Sequence, residues 1–428
     1  MLNGGATHRT RMITQQPVGR RERLPLTERI TYFFDLRAGL FFGVFNGITT
    51  PLIPIIARKL GLDTTGLAVL SIMQFVGFFF SFVIGHLSES RKKMPLVLWP
   101  GVASRGLFIG FALIASPYAF LAVVSVYYLL ANISSPAYSA IMQANYSERF
   151  RPRIMGNIRV AVTLVTAAAS LVAGILLDIH PAGYRLLFPV AALFGVASSV
   201  TFARIRVRED HRSTAVRPHF SLRDSVRELG KDRVFLIFML VLFSMAAPSK
   251  ITMSVEPIRL VDQLHINYAS AGLLLGTLTS LFAVIGYYMW ARLADRVDPF
   301  LLLVFVGVIT GLRQLDYGLA PSIPLLVPGM MFEGLNASGW DLFSLICILR
   351  LSPPDRIARY WGLHLTLLGV RGVAGPIIGA ILYETHLFRI VGLYVLAGSL
   401  TLAGSAALLV FTGYLRTTGR GTVVRSAA

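Results

Sequence analysis

The chain has few charged residues and almost no cysteine. Only 14% of its 428 residues are charged and 55% are hydrophobic, which gives a mean hydropathy of +0.66. So apolar a composition excludes an ordinary soluble globular protein and indicates a protein embedded in a lipid bilayer. Cys347 is the single cysteine, so an intramolecular disulfide is excluded as well.

The sequence also lacks the side-chain patterns of most enzymes. It contains no nucleophile elbow, no phosphate-binding loop and no spacing typical of metal ligands. Four scattered histidines do not make a metal site. They are His86, His180, His265 and His364, four of the eight histidines of the chain. We therefore expect no catalytic residue, no metal and no other cofactor.

Acidic residues are scarce beside basic ones. The chain has 21 acidic and 40 basic residues, and its formal net charge is +19. In a soluble protein this excess would suggest a nucleic-acid partner, but here many of the basic residues concentrate in alternate loops. Those loops hold Arg91, Lys92, Lys93, Arg149, Arg151, Arg153, Arg292, Arg296, Arg350, Arg356 and Arg359. The positive-inside rule then predicts a protein of the cytoplasmic membrane with both termini in the cytoplasm, and no nucleic acid is needed.

Apolar stretches of about 20 residues, the length that crosses the hydrocarbon of a bilayer, occur twelve times. They lie near residues 31–57, 65–85, 95–115, 118–142, 156–178, 184–204, 234–257, 268–290, 299–317, 322–349, 360–383 and 387–412. This pattern predicts an all-α polytopic membrane protein with twelve transmembrane helices in two six-helix bundles. The predicted parts are a disordered cytoplasmic tail at 1–28, a first bundle at 29–204, a cytoplasmic linker at 205–232, a second bundle at 233–412 and a cytoplasmic tail at 413–428.

Residues of the first half recur in the second half at a nearly constant spacing. Four residues return 204 positions later in the same order, namely Pro117 and Pro321, Leu121 and Leu325, Asn132 and Asn336, and Ser134 and Ser338. A duplicated unit of this size indicates two membrane halves that face each other across a cavity, as in many transporters.

Prolines lie at matching places in the two halves. Pro51 and Pro54 fall in the first predicted span, and Pro248 and Pro257 fall in the seventh. Proline removes a backbone N–H from the helix, so we expect kinks in both helices. Interruptions at corresponding positions of two repeats point toward a binding site.

A loop motif resembles that of a known family. Residues 85–93 read Gly-His-Leu-Ser-Glu-Ser-Arg-Lys-Lys, and residues 293–296, at the equivalent point of the second half, read Leu-Ala-Asp-Arg. With twelve spans in two repeats, this chain resembles the major facilitator superfamily, although Glu89 stands where the family usually has aspartate and Lys92 where it has glycine. The resemblance implies two bundles that rock around a central site. It also implies a gating motif at Gly85, Glu89, Arg91, Lys93, Asp295 and Arg296, in which Glu89 faces the start of the eleventh span near Arg359 and Tyr360.

Charged side chains inside the predicted spans are the strongest functional signal. An ionisable group at the centre of a membrane helix costs about 2.5–3.5 kcal/mol by insertion measurements, so it tends to face a cavity or a partner. Arg105, Lys250, Glu333, Asp341 and Arg371 lie near span centres, and Asp35 and Arg37 lie closer to the inner end of the first span. We predict that Glu333, Asp341 or Asp35 exchanges a proton during a transport cycle. The alternative is a structural ion pair with Arg105, Lys250 or Arg371.

Other polar side chains of the spans complete the candidate site. Arg371 and Arg105 could bind an anionic group, because a guanidinium grips a carboxylate or phosphate with two parallel bonds; Lys250 is a similar candidate. Asn132 and Asn336 favour hydrogen bonds between helices. Gln74 and Trp340 are candidates for lining the cavity.

Together these patterns predict a monomeric secondary active transporter that moves a small organic solute by alternating access, coupled to protons. Efflux and uptake both remain open, as do symport and antiport. One alternative is a proton-independent facilitator of an anionic or amphipathic metabolite. A lipid-modifying membrane enzyme would need a nucleophile or a metal cluster at one interface, and a sensor would need an added signalling domain; the sequence has no sign of either.

Overall fold

A computed structural model describes residues 25–89, 93–147, 149–207, 230, 232–353 and 357–418, with the backbone alone at 79–89, 135, 136, 152, 358 and 359. The described chain is helical and contains no β-strand. Twelve helices are numbered here in chain order. They are α1 Leu26–Lys59, α2 Thr64–Glu89, α3 Lys93–Ala112, α4 Pro117–Asn145, α5 Arg151–Ile179, α6 Tyr184–Phe202, α7 Arg233–Ser254, α8 Tyr268–Ala294, α9 Pro299–Leu319, α10 Val327–Leu351, α11 Ile357–Glu384 and α12 Ile390–Thr417. The predicted twelve-helix membrane fold is confirmed.

Within the described residues, ten helices are long and apolar enough to cross a membrane. The other two are α2, whose described side chains end at Phe78, and α10. Helix α10 has 25 residues, which is sufficient length, but Glu333, Asn336 and Asp341 interrupt its apolar sequence. Helix α10 therefore carries two of the intramembrane acids that the sequence singles out, Glu333 and Asp341.

Helices α1 and α7 are interrupted, as their prolines predict. In α1 the helix stops at Thr49 and resumes at Ile53, on either side of Pro51. Helix α7 breaks before Pro248 and ends in a 3₁₀ turn at Thr252–Ser254; beyond it a short helical turn at Glu256–Ile258, which contains Pro257, leads into a π-helical turn at Arg259–Gln263. These kinks occupy equivalent helices of the two halves. They bend both helices around the central cavity described below.

The two halves meet through two equivalent pairs of helices, α2 with α11 and α5 with α8. Close approach of α5 and α8 requires glycine on both sides. A Cβ atom added to Gly174 would lie 3.2 Å from the Cα atom of Gly272. The Ser170 hydroxyl donates to the Gly272 carbonyl (3.0 Å) and the Thr277 hydroxyl to the Ala167 carbonyl (2.8 Å). Backbone and side-chain contacts therefore join the halves directly.

Several described contacts between the halves lie at the end of the bundle away from the termini, which we call the far end. Arg58, at the end of α1, forms an ion pair with Asp262 through Nε and Nη2. These two residues are 204 positions apart, the spacing of the repeat, so the pair joins equivalent positions of the two halves. The carboxylate of Asp178 accepts hydrogen bonds from the backbone N–H groups of Tyr268 (2.6 Å) and Ala269 (3.1 Å), at the start of α8. The far end is therefore closed.

Candidate functional site

A central cavity lies between the halves and has two lobes. The far lobe, of about 340 Å³, is lined mainly by α1, α2, α7, α9 and α10. The near lobe, of about 530 Å³, extends toward the end that carries the termini and is lined mainly by α7, α10 and α11. The two lobes share Ser249, Lys250, Thr310 and Asn336. Cavities of this size suit small organic molecules.

Arg313 organises the charge of the far lobe. Its Nη2 atom lies 3.0 Å from Glu256 Oε2 and its Nε atom lies 2.7 Å from Glu333 Oε2. The guanidinium also lies over the Tyr317 ring, at 4.3 Å from the centroid. One cation therefore serves two acids, so this cluster carries a formal charge of −1 when both acids are ionised. A proton on Glu333 would neutralise the cluster.

A second ion pair crosses the near lobe and joins the two halves. Arg159 Nη1, on α5, lies 3.0 Å from Asp341 Oδ2, on α10. The Tyr287 hydroxyl donates to the same oxygen at 3.4 Å. The Arg159 and Asp341 side chains are 55% and 54% exposed, although both residues lie well inside membrane helices. The near lobe is therefore open to solvent.

Two further cations face the cavity without an acidic partner among the described residues. Arg371 is only 4% exposed, its guanidinium lies 4.8 Å from the Trp340 ring centroid, and its Nε atom has no hydrogen-bond partner. Lys250 Nζ lies 5.2 Å from the Phe75 ring centroid. Gly375 lets α11 approach α7 at this level, since a Cβ atom added there would lie 2.8 Å from the Lys250 carbonyl carbon. Helix packing thus brings two unpaired cations to one lobe.

Three polar or aromatic candidates lie on the cavity wall. Gln74 lines the far lobe and Trp340 the near lobe, as predicted. Asn336 lies on the shared wall, where its side-chain oxygen accepts from the Thr310 hydroxyl of α9 at 2.8 Å, which is the predicted hydrogen bond between helices. His364 stacks on Trp340 with 6.4 Å between ring centroids.

The two candidates on the first span, Asp35 and Arg37, lie outside the cavity. Asp35 is buried within the first half, where its carboxylate accepts hydrogen bonds from the hydroxyls of Tyr146 (3.1 Å) and Tyr138 (3.5 Å). Arg37 is exposed and lies over the Phe33 ring, 3.9 Å from its centroid. Both contacts are internal to the first half.

Arg105 and Asn132 also hold the first half together. Arg105 Nη1 donates to the Gly195 carbonyl (3.0 Å) and to Ser199 Oγ (2.7 Å) and so ties α3 to α6. Asn132 Nδ2 donates to the Tyr128 carbonyl of its own helix (2.8 Å), not to a neighbouring helix as predicted. Among the described residues Asp341 and Glu333 do form ion pairs, but their partners are Arg159 and Arg313 and not the predicted Arg105, Lys250 or Arg371.

The gating motif is described only in part. Gly85 and Glu89 lie in the last turns of α2, and Lys93 begins α3, while Asp295 and Arg296 follow α8. The side chain of Glu89 and the whole of Arg91 lie outside the described residues, so the predicted contact of Glu89 stays a prediction. Tyr360, near the start of α11, donates its hydroxyl to Asp232 Oδ2 at 2.9 Å. The start of α11 is thus joined to the start of α7.

The sequence reasoning missed three charged residues of the cavity, Arg159, Glu256 and Arg313. Each lies inside a predicted span, so the rule that intramembrane charge marks a site would have found all three. A fourth charge, Arg259, lies just beyond the seventh predicted span. It is buried and donates to the carbonyls of Gly318 (3.2 Å) and Ala320 (2.8 Å) at the end of α9.

The family follows from a sequence comparison. The model of the Major Facilitator Superfamily matches residues 37–255 and, a second time, residues 238–425. The chain belongs to the major facilitator superfamily. This membership confirms the predicted family and identifies a multi-pass membrane transporter, not an enzyme. The double match also agrees with the two repeats. A comparison with curated protein sequences gives no significant match.

Solved structures share the fold of this major facilitator protein at low sequence identity. A mutant of the nucleoside transporter NupG has 12% identity and a TM-score of 0.67, with 91% of this chain and 99% of that chain covered. A POT family transporter in complex with 5-aminolevulinic acid has 12% identity and a TM-score of 0.68, covering 91% and 97%. A bacterial homolog of the human lysosomal transporter Spinster, inward-facing and unoccupied, has 13% identity and a TM-score of 0.60, covering 93% and 98%. At these identities the likeness establishes the fold alone.

Proposed function

We propose that this protein is a secondary active transporter of a small organic solute in the cytoplasmic membrane, working by alternating access and coupled to protons. The basic loops support termini in the cytoplasm by the positive-inside rule. With that orientation the far end faces outward, and the near lobe opens to the cytoplasm. The closed far end and solvent-exposed near lobe then correspond to an inward-facing state.

One observation carries the proposal: the acids Glu333 and Asp341 face one cavity, and each forms an ion pair with an arginine of another helix. A carboxylate that takes up a proton loses most of its attraction for the arginine. Because the ion pair of Asp341 with Arg159 joins the two halves, protonation of Asp341 would weaken that contact between them. Because Glu333 lies on the wall of the far lobe, its protonation state bears on the charge that a solute meets.

Reconstitution in liposomes tests the coupling. Wild type, Asp341→Asn and Glu333→Gln would be loaded with a pH-sensitive dye and offered a mixture of metabolites and drugs under an imposed pH gradient. We expect the wild type to accumulate or expel a solute against its gradient with a matching pH change, and each variant to lose the proton movement. Asp63→Asn is the matched control, because Asp63 accepts from the Gly66 N–H at the far end (3.0 Å) and asparagine preserves that bond. Concentrative transport with unchanged pH dependence in both cavity variants would overturn the assignment.

A second candidate function is a proton-independent facilitator of an anionic or amphipathic metabolite. Lys250 and Arg371, which form no ion pair among the described residues, favour it, because cations on the cavity wall can bind an anion without a titrating acid. The same liposomes distinguish the two functions. A facilitator would equilibrate its solute at the same rate with or without a pH gradient and would never concentrate it.

A further inference from the structure

We infer that the near lobe binds an organic anion with an apolar body, and that Arg371 and Lys250 hold its anionic group. This inference rests on the proposed function, since it names the substrate class of the same cavity. Among the described residues, four cations and three acids line the two lobes. Arg159 pairs with Asp341, and Arg313 takes up the other two acids. Both remaining cations face the near lobe.

Arg371 is buried, so an anionic partner would stabilise it more than it would stabilise an exposed cation. A buried charge is expensive unless it is paired and hydrogen-bonded. The Trp340 ring supplies a cation–π contact, which compensates for part of the lost hydration. The Nε atom nevertheless has no partner. A carboxylate or phosphate group in the lobe would satisfy the guanidinium with two parallel hydrogen bonds.

Lys250 contributes to the same subsite from another helix. It lies on α7, faces the near lobe with Arg371, and is close enough to be repelled by that arginine. Glu333 and Glu256 of the far lobe attract Lys250, so the repulsion between the two cations is only partly compensated in the absence of ligand. An anion placed between them replaces this repulsion with two attractions, so the ligand also fastens α7 to α11.

The rest of the wall indicates the body of the ligand. Its apolar part is formed by the side chains of Trp340, Trp361, Leu365, Leu368 and Met245, of which Trp340 contacts Arg371. Aromatic and aliphatic surfaces of this kind bind apolar groups, while the few charged groups fix orientation. The lobe therefore fits an amphipathic anion better than a sugar or an inorganic ion.

Three ligands with one indole body and different charges test the inference. Indole-3-acetate is an anion, indole-3-acetamide is neutral and tryptamine is a cation. Binding to the full chain in phosphatidylcholine nanodiscs would be measured by isothermal titration and by thermal unfolding. We expect indole-3-acetate to bind at least tenfold more tightly than the other two, a difference of about 1.4 kcal/mol.

Variants assign the preference to the two cations. Arg371→Gln and Lys250→Gln should each reduce the preference for the anion about tenfold, and Arg371→Lys should retain part of it because the charge remains. Arg37→Gln is the matched control, since Arg37 is exposed outside the cavity. Arg371→Lys also keeps the test informative if the glutamine variant does not fold.

Equal binding of the neutral or cationic ligand by the wild type would overturn the inference, as would an unchanged preference in both glutamine variants. A repeat in phosphatidylglycerol nanodiscs separates a soluble anion from a lipid headgroup. If the anionic lipid abolishes indole-3-acetate binding, the subsite holds lipid and the inference falls. Equilibrium binding requires no transport, so proton-coupled movement of a neutral solute would refute this inference alone. Anion binding without any transport would instead refute the proposed function.

Discussion

The ion pair of Arg58 with Asp262 at the far end is predicted to stabilise the inward-facing state. Alternating access requires the far end to separate, and this pair must then break. Its side chains are 25% and 36% exposed, so it belongs with the solvent-screened pairs that contribute about 0.2–1 kcal/mol. Because both Nε and Nη2 of the arginine contact the carboxylate, we place it near the upper value. Removing it should shift the ratio of closed to open far end about fivefold.

Distances between spin labels measure that ratio. Labels at Thr65 and Ser270, near the starts of α2 and α8, would report separation of the far end after the native Cys347 is replaced by serine. Arg58→Ala and Asp262→Ala should each increase the long-distance population about fivefold, by the 1 kcal/mol estimated for the pair.

A double-mutant cycle separates the pair from its surroundings. The double alanine variant should resemble either single variant, and the exchange of charges in Arg58→Asp with Asp262→Arg should restore the closed population. Raising the salt concentration from 0.1 to 1 M should weaken the wild-type preference, because exposed charges are screened. Strictly additive effects of the two alanine substitutions would refute the reasoning, since they would mean that the residues act independently.

Three further predictions concern residues that lie outside the cavity. Gly174→Ala should open the far end in the same label assay, because the added Cβ would lie 3.1 Å from the Ala269 Cα atom; Gly183→Ala, whose Cβ stays 3.6 Å or more from its neighbours, should not. Arg259→Gln should lower the unfolding temperature, because buried carbonyls left unpaired at the end of α9 cost about 1–3 kcal/mol; an equal loss for exposed Arg185→Gln would contradict this. Asp35→Asn should leave proton coupling intact in liposomes, because Asp35 lies outside the cavity and asparagine can still accept from Tyr146; loss of coupling would return Asp35 to the list of proton carriers.

The fold could be predicted because it depends on properties that can be read directly from one amino-acid sequence. Span length, loop charge and the repeat are all one-dimensional, and the prolines of α1 and α7 sit where both helices break. Pairing could not be predicted in the same way. Arg313 lies 20 positions before Glu333 and 57 after Glu256, and only the packing of α9 between α7 and α10 makes them neighbours.

Exposure to the cavity was equally invisible in the sequence. Arg105 and Arg371 both lie mid-span, yet one faces α6 and the other the near lobe. Neither hydropathy nor repeat spacing indicates the direction of a side chain on a helix that is apolar nearly all round. Asp35 illustrates the same limit, because Tyr138 of α4 and Tyr146, which follows that helix, enclose its carboxylate within the first half.

The two cavity acids are predicted to perform different tasks, because their partners belong to different halves. Glu333 and its partner Arg313 both lie in the second half, so this pair moves as one body when the halves rock. Asp341 is bound to Arg159 of the first half, so rocking separates that pair. At the repeat-equivalent positions of the first half stand Leu129 and Ala137, neither of which ionises. We therefore expect the rocking of the halves to depend on the charge of Asp341 and not on the charge of Glu333.

Glu333→Gln should then change ligand affinity and leave the label distances unchanged. Loss of one negative charge on the cavity wall should strengthen the binding of an organic anion by roughly twofold to fivefold, if the interaction is worth about 0.4–1 kcal/mol. Asp341→Asn should change the closed fraction of the far end by a similar factor, and because Asp341 lines the near lobe it should strengthen anion binding as well. A shift in the label distances with Glu333→Gln would instead mean that the two acids act as one coupled site, since the near and far lobes share Lys250 and Asn336.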